Sequence, residues 1–288
     1  MSIIRFFLRL TFALCVAVQV QAQAQAQALA QTPVLVKPLL IGESLELSSK
    51  NLRETRRINI YLPDAYGSDK KASFPVMVML DGGIAEDFLH IAGLMQVSIA
   101  NGTMRPFILV GVENTVRRRD LTSPSDNALD KRDIPNAGGS SQFRRFLVQE
   151  LLPEIDQRYR TTQERVLIGE SLAGLFVIDT LFHSPDVFQT YIALDPSLWW
   201  NDQKLTADFA DKLRANPKLS KNLYFASSGQ KGMETVIQHF AEMLERANPE
   251  GLKWTYEKYP SETHATIFHP AALKAFRTLL APPPTPQK

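Results

Sequence analysis

The stretch Val166-Leu167-Ile168-Gly169-Glu170-Ser171-Leu172-Ala173-Gly174-Leu175-Phe176 decides the fold. Its apolar beginning predicts a short buried strand, its polar centre a very tight turn, and its apolar end a helix. A serine held in such a turn, between a strand and a helix, is typical of a nucleophile elbow with the pattern G-x-S-x-G. Ala173 stands in place of the last glycine, which is a small departure from that pattern.

The serine of this turn is a candidate nucleophile. Gly169 and Ala173 leave room around a sharply bent backbone, and Ser171 comes directly before the predicted helix. Free backbone N–H groups and the helix dipole at that position stabilise developing negative charge, so the Leu172 N–H is a candidate oxyanion donor. The alternative interpretation is that Ser171 only caps the helix.

The first thirty residues are typical of a targeting segment. Arg5 and Arg9 precede an apolar run, Leu10 to Val20, that is too short to span a bilayer. A low-complexity Gln/Ala segment follows, with small residues suited to cleavage after Ala22 or Ala30. We predict a Sec signal peptide and a periplasmic or secreted protein, the alternative being a retained N-terminal anchor.

The remaining chain predicts one domain. A length of 288 residues with 44% hydrophobic content can bury a sizeable core, and we assign it to residues 31–280. The proline-rich segment 281–288 cannot continue a helix and is predicted to be a disordered tail.

Removal of the predicted signal segment changes the net charge and the cysteine content of the chain. Residues 1–30 hold two arginines and no acidic residue, so their removal takes the formal net charge from +2 to 0. A neutral chain gives no electrostatic reason to expect nucleic acid or stable membrane association. Cys15 is the single cysteine and is lost with the signal, so no disulfide is expected.

A second candidate oxyanion donor follows a continuous apolar run. Residues 75–80 predict a strand buried on both faces, and the run stops at Asp81-Gly82-Gly83. Without a Cβ atom the backbone there can approach a substrate oxygen closely. We therefore pair the Gly83 N–H with that of Leu172, while an ordinary strand-to-helix turn remains the alternative.

Three arginines follow the next predicted strand, residues 106–112. Arg117, Arg118 and Arg119 lie at the carboxyl end of that strand, where open α/β sheets bind ligands. A guanidinium can hold an anionic or oxygen-rich substrate through forked hydrogen bonds, and we name Arg119 as a substrate-binding candidate. The alternative is that Arg119 pairs with Asp120 and only holds a loop, which we predict to continue to residue 139.

Two carboxylates and two tryptophans follow later strands. Asp195 ends the strand 190–194, and Glu234 is the carboxylate in the loop after the strand 223–227. Either acid can orient a histidine in this chain order, and we favour Glu234. Trp199 and Trp200 either pack in the core or form an aromatic wall of a substrate pocket.

The candidate general base is His264. It stands in a polar loop directly after the last predicted strand, 93 residues beyond Ser171. A histidine at this place can take the serine proton and return it to a leaving alcohol. Among the other histidines only His269 is a rival, because His90, His183 and His239 fall within helical patterns.

Several of these segments, in this order, resemble the esterase branch of the α/β hydrolases. That branch includes siderophore esterases, esterase D relatives, feruloyl esterase modules and antigen 85 mycolyltransferases. The resemblance covers about residues 40–280 and implies an α/β-hydrolase fold, with a mostly parallel central sheet and helices on both faces. It also implies serine ester chemistry on a small-molecule ester, without cofactor or metal. The matching segments are Leu80 to Gly83, Val110 to Thr115, Arg119 to Thr122, Gly138-Gly139, Phe143 to Tyr159, Gly169 to Phe176, Asp195 to Trp200, and His264.

Departures from the family pattern leave alternatives open. Glu170 stands where family members commonly carry histidine, and Gln230-Lys231 where relatives often show a glutamate. The acid is therefore Glu234 or Asp195, or the site works as a Ser–His dyad. We expect a serine carboxylic-ester hydrolase for siderophore-type or other small-molecule esters, with an acyltransferase or a non-catalytic binding protein as the other hypotheses.

Overall fold

The computed structural model describes residues 17–21, 23, 35–215 and 219–283. The chain divides into two compact units, residues 1–40 and 41–288. In the first unit residues 17–21 and 23 are helical, and residues 35–40 have no regular secondary structure. Within the described parts of the chain, no helix combines the length and apolarity needed to cross a membrane. Most of the predicted signal segment and residues 284–288 of the predicted tail lie outside the described residues.

The second unit is organised around a sheet with the strand order β1-β2-β4-β3-β5-β6-β7-β8. The first two strands run antiparallel, β2 pairs antiparallel with β4, and the following pairs are all parallel. The strands are β1 (Glu43–Ser49), β2 (Glu54–Tyr61), β3 (Phe74–Leu80), β4 (Ile108–Val112), β5 (Thr161–Glu170), β6 (Thr190–Leu194), β7 (Lys221–Ser228) and β8 (Leu252–Tyr259).

Helices connect the parallel strands. The segment from Ser140 to Arg158 is helical throughout, with a π-helical turn at Leu147–Leu151 between α5 and α6. The described helices of this unit are α1 (Asp64–Ser68), α2 (Phe88–Ala100), α3 (Arg117–Leu121), α4 (Ala128–Asp133), α5 (Ser140–Phe146), α6 (Leu152–Arg158), α7 (Leu172–His183), α8 (Trp200–Ala207), α9 (Phe209–Ala215), α10 (Met233–Ala247) and α11 (Phe268–Leu279).

The central strands are buried on both faces, as their continuous apolar sequences predict. All seven residues of β3 are buried, and from Val76 to Leu80 they alternate between two apolar clusters. Val76 and Val78 join the cluster that holds helices α5, α7 and α10, while Met77 and Met79 join the one that holds α2 and α11. This arrangement confirms the predicted α/β architecture with helices on both faces of the sheet.

Two segments differ from the sequence-based expectation. The predicted long loop before residue 139 contains the short helices α3 and α4, and the Asn127 side chain caps α4 by accepting from the N–H groups of Leu129 and Asp130. The segment after Trp199 begins a helix at Trp200 that periodicity does not predict, and the next three residues have left-handed backbone conformations, Asn201, Asp202 and Gln203. Hydrogen bonds outside the helix hold this turn, which amphipathic periodicity does not reveal.

The turn between β5 and α7 has the strained geometry of an elbow. Ser171 has φ 62° and ψ −123°, a conformation that side-chain-bearing residues rarely adopt. A Cβ atom placed on Gly169 would lie 2.6 Å from the Ala173 Cβ and 2.8 Å from its carbonyl carbon. The glycine before the serine is therefore required by the close approach of the helix to the strand.

We expect Gly169→Ala to lower the free energy of unfolding by about 1–3 kcal/mol, because the added methyl group forces strand and helix apart. Gly67→Ala is the matched control, since nothing lies within 4 Å of a Cβ atom at that position. Urea unfolding followed by circular dichroism measures both variants. Equal unfolding midpoints for the two variants would contradict the tight-elbow interpretation.

Candidate active site

A chain of hydrogen bonds links three side chains from three different loops. The Nε2 atom of His264 lies 2.9 Å from the Ser171 Oγ, and its Nδ1 lies 2.6 Å from Oδ2 of Asp195. A carboxylate only accepts, so the proton of the neutral imidazole is on Nδ1 and Nε2 is free to accept from the serine hydroxyl. This is the arrangement that makes a serine hydroxyl nucleophilic.

The Asp195 side chain is held in place by Ser228 as well as by His264. Asp195 follows β6 with a positive φ of 43° and is fully buried. Its carboxylate accepts from both the backbone N–H and the hydroxyl of Ser228, each at 2.8 Å. A buried carboxylate needs such donors. The Ser228 N–H bonds Oδ1, and the Ser228 hydroxyl shares Oδ2 with His264.

The structure corrects our preference for Glu234 as the acid beside the histidine. Glu234 lies in the first turn of α10, partly exposed, with its carboxylate 3.8 Å from the ammonium of Lys258. The sequence left Asp195 as the second choice because an aspartate before proline is common in turns. Its φ and its bonds to Ser228 and His264 place it at the histidine instead.

Charges around His264 favour its protonated form. The hydrogen bond to Asp195 raises the pKa of His264 above its usual value, and the nearby carboxyl of Glu170 adds to the rise. Burial and the guanidinium of Arg117 act in the opposite direction. The imidazolium that forms when the base takes a proton is therefore stabilised by this environment.

The backbone N–H groups of the two candidate oxyanion donors differ in their hydrogen bonding. Leu172 is the first residue of α7, where backbone N–H groups have no partner within the helix. The Gly83 N–H donates to Oε2 of Glu86 at 2.7 Å, and the other oxygen of Glu86 accepts from the Asn114 side chain at 2.8 Å. A carboxylate oxygen thus holds the N–H that the sequence assigned to a substrate oxygen.

The arginine segment is largely structural. Arg119 donates to Asp120 at 2.7 Å and to Glu54 at 2.9 Å, so the structure supports the loop-holding alternative and not the predicted substrate contact. Arg117 makes a forked pair with Asp81, with both bonds at 2.7 Å. Among the described residues, the guanidinium of Arg118 has no hydrogen-bond or ion-pair partner, and the residue is exposed.

The two tryptophans are divided between core and surface. Trp200 is 2% exposed, and its indole N–H donates to the Ser123 carbonyl at 3.0 Å. Trp199 is 41% exposed and packs edge-on against Trp200. Trp199 follows Ser197 by two residues, and Ser197 places its hydroxyl 3.4 Å from the Ser171 Oγ. Trp199 is therefore the tryptophan that can meet a substrate, while Trp200 belongs to the core.

The rival histidine lies elsewhere. His269 is the second residue of α11 and stacks on His90, with 2.7 Å between its Nδ1 and the Nε2 of His90. Ser171 is instead bonded to His264, as the sequence predicted. In the described ranges, no three His, Cys, Asp or Glu side chains are grouped so that they could hold a metal ion.

Residues that the sequence analysis did not assign surround the nucleophile. Ser197 lies beside its hydroxyl, and Asp81, which precedes the glycine pair, holds Arg117. Glu170 precedes the serine, and burial raises the pKa of its carboxyl to about 7, with further contributions from Asp87, Asp195 and Asp81 and an opposing one from His264. In the sequence, Glu170 was marked only by standing where family members commonly carry histidine.

Comparison with known proteins places the chain in a family. Residues 49–264 match the family described as "Putative esterase", which is three quarters of the chain. The chain belongs to this esterase family. It is 28% identical over 263 residues to the ferri-bacillibactin esterase BesA of Bacillus subtilis, an alignment covering 82% of this chain and 88% of that protein.

Solved structures give the same result for the fold. An IroE-like serine hydrolase from Shewanella oneidensis superposes with a TM-score of 0.75 at 29% identity, covering 83% of this chain and 80% of its own. The BES protein from Bacillus cereus has a TM-score of 0.73 at 24% identity, covering 85% and 98%. The protein is an ester-hydrolysing enzyme with the α/β-hydrolase fold, as the sequence predicted.

We expect Asp195→Asn to lower kcat by about 10³- to 10⁴-fold, because an amide favours the wrong imidazole tautomer and no longer stabilises the imidazolium. Glu234→Gln is the control and is expected to change kcat less than about twofold, since its carboxylate lies at Lys258. Steady-state hydrolysis of an aryl acetate measures both. A large loss in Glu234→Gln with a small one in Asp195→Asn would reverse the assignment.

Proposed function

We propose that the protein hydrolyses siderophore-type carboxylic esters through an acyl-enzyme formed on Ser171. The observation that carries this proposal is the bonded series from Ser171 through His264 to the buried Asp195. The substrate class is supported by similarity along most of the chain to the ferri-bacillibactin esterase. An iron(III) salmochelin esterase of Escherichia coli is also 25% identical over 156 residues, although these span only 34% of that protein.

The reaction begins with attack of the Ser171 Oγ on the ester carbonyl carbon. His264 Nε2 takes the hydroxyl proton, and Asp195 holds the ring and stabilises the resulting imidazolium. The tetrahedral intermediate places its negative oxygen on the N–H of Leu172 and, once Glu86 has withdrawn, on that of Gly83.

Collapse of the intermediate releases the alcohol half, which receives its proton from His264. Water then enters, the same histidine accepts a proton from it, and the hydroxide attacks the acyl-enzyme carbonyl. The second tetrahedral intermediate expels Ser171, which recovers its proton, and the carboxylic acid leaves. The net reaction consumes one ester bond and one water.

Two exposed side chains fit contacts with the substrate. Trp199 offers an aromatic face near the nucleophile, and an aromatic or apolar part of the ester can pack against it. Arg118 lies on the segment after β4 with its guanidinium exposed, where it can bond oxygen atoms of the substrate. We assign the substrate contact of the arginine segment to Arg118.

We also propose that the enzyme acts outside the cytoplasm, in the periplasm or the medium. The support is the N-terminal sequence, in which two arginines precede an apolar run and a small-residue cleavage region.

The function is tested with a fluorophosphonate that labels activated serines, followed by peptide mapping. We expect one adduct, on Ser171, that is absent in Ser171→Ala and slowed by about 10⁴-fold or more in His264→Ala. Hydrolysis of trilactone siderophores, measured by chromatography against simple aryl esters, then tests the substrate class. Glu234→Gln serves as the fully labelled control.

Different results would contradict different parts of the proposal. A wild-type enzyme that takes no label while BesA does would refute the Ser171 mechanism. Labelling without hydrolysis of any siderophore lactone, alongside turnover of simple esters, would refute only the substrate class.

Export is tested by expressing the full chain in a Gram-negative host and determining its N-terminus after fractionation. We expect the protein in the periplasm or medium, beginning at residue 23 or 31. An intact N-terminus in the cytoplasmic fraction would contradict the proposed location.

A further inference from the structure

Glu170 has a carboxyl group beside the nucleophile that is bonded to nothing. Its Oε1 atom is buried without a hydrogen-bond partner, and no hydrogen bond to either carboxyl oxygen occurs among the described residues. The neighbouring acids do have hydrogen-bond donors. The carboxylates of Asp81, Glu86 and Asp195 accept from Arg117, Gly83 and Ser228. Buried polar atoms are normally paired, so an unpaired carboxyl next to a reactive serine points to a partner supplied from outside.

The guanidinium of Arg117 does not fill this role. Arg117 gives Nε and Nη2 to the carboxylate of Asp81, both at 2.7 Å. Its only hydrogen bond to Glu170 is a long one, 3.5 Å, to the backbone carbonyl. The guanidinium therefore fixes the elbow and Asp81, and the side chain of Glu170 is left without a donor.

Hydrogen bonds tie Glu170 to the glycine turn after β3. Its backbone carbonyl accepts from Arg117, which also holds Asp81, two residues before Gly83. The same turn carries Gly83, whose N–H is a candidate donor to the ester carbonyl oxygen. An ester carbonyl held by the Gly83 and Leu172 N–H groups therefore lies beside Ser171 and the residue that directly precedes it, Glu170.

The surrounding charge is negative. Asp81, Glu86, Asp87 and Glu170 are grouped around the guanidinium of Arg117. Burial and repulsion from neighbouring acids raise the pKa of both Asp87 and Glu170, while His264 opposes the rise at Glu170 and Arg117 opposes it at Asp87. An anionic substituent would meet this charge at short range, whereas a neutral or cationic donor would relieve it.

We propose that Glu170 is a specificity-determining residue that accepts a hydrogen bond from an N–H or O–H group next to the scissile carbonyl, on the acyl half of the ester, and selects against negative charge there. The terminal torsion of a glutamate is soft, so the carboxyl can turn to bring either oxygen to the donor. The inference rests on the proposed function, because it requires the ester carbonyl to be held at Ser171.

Matched esters test the donor. Ethyl lactate is compared with ethyl 2-methoxypropanoate, in which the hydroxyl donor is masked, and the ethyl ester of N-acetylalanine with its N-methyl derivative. We expect wild type to favour each donor ester in kcat/KM by about 10-fold or more. Glu170→Leu, which has no acceptor, reduces these ratios to within about twofold of one. Glu170→Gln keeps part of each ratio, because its amide oxygen still accepts.

A charged ester tests whether Glu170 selects against negative charge. The variant used is Glu170→Gln, which removes the charge and keeps the size of the side chain. Monoethyl methylmalonate carries a carboxylate next to the scissile carbonyl. We expect Glu170→Gln to raise its kcat/KM, relative to that of ethyl 2-methoxypropanoate, by about 10-fold. Glu245→Gln, which removes a charge from an exposed position on α10, leaves every ratio unchanged.

The outcomes separate this inference from the function on which it rests. Two results overturn the role of Glu170 while hydrolysis itself continues. One is equal kcat/KM of wild type for donor and masked esters. The other is a donor-to-masked ratio of kcat/KM that is undiminished in both Glu170→Leu and Glu170→Gln. If Glu170→Leu does not fold, the response of Glu170→Gln to the charged ester decides. Failure of wild type to hydrolyse any of the esters or to take the phosphonate overturns the proposed function first. A larger ratio for the amide pair than for the hydroxyl pair identifies N–H as the natural donor.

Discussion

The backbone of Ser171 is the constraint on which the site depends. Its N–H donates to the Leu194 carbonyl, and its own carbonyl accepts from the N–H groups of Leu175 and Ser197. Ser171 therefore lies between β5 and α7, and its hydrogen bonds also fix the segment after β6. Because that segment starts with Asp195, the strained conformation at the serine also determines where the acid of the site can be.

Burial makes the acid rigid. Asp195 is inaccessible to solvent and holds two donors from Ser228 besides His264. A carboxylate in such surroundings is stable only with its full set of donors, and losing one leaves an uncompensated charge. The orientation of His264 is thus imposed from the interior of the sheet, although the ring itself is partly exposed at the surface. The adjacent, parallel strands β6 and β7 make this possible, since they deliver Asp195 and Ser228 to the same edge.

The sequence predicted the sheet, its central strands and the Ser171–His264 pair because these depend on local pattern and chain order. It misjudged features that depend on contacts between distant segments. The choice between Asp195 and Glu234 was undecidable from spacing, since both follow strands that end at the same edge. Arg119 was expected at the substrate because the length of an arginine does not reveal which acids it meets, and Glu54 is 65 residues away. The two tryptophans were indistinguishable until the bond from Trp200 to Ser123 placed one of them in the core.

If Gly83 donates to a reaction intermediate, as we propose, its contact with Glu86 shows how the free enzyme pairs that N–H in the absence of substrate. An unpaired N–H at this partly closed site would carry a desolvation penalty of about 1–3 kcal/mol. Glu86 removes that penalty in the manner of a capping box, in which a residue three positions later bonds back to the N–H at the start of a turn. The bond resembles the one that a developing oxyanion makes, because both acceptors are negatively charged oxygens. The hydrogen bonds from Asn114 and Gly83 to Glu86 come from neutral donors, so in the proposed reaction an ester oxygen that gains full negative charge can compete for Gly83 where a neutral carbonyl oxygen cannot. On that proposal the exchange favours the transition state over the bound ester, which is the difference that accelerates a reaction.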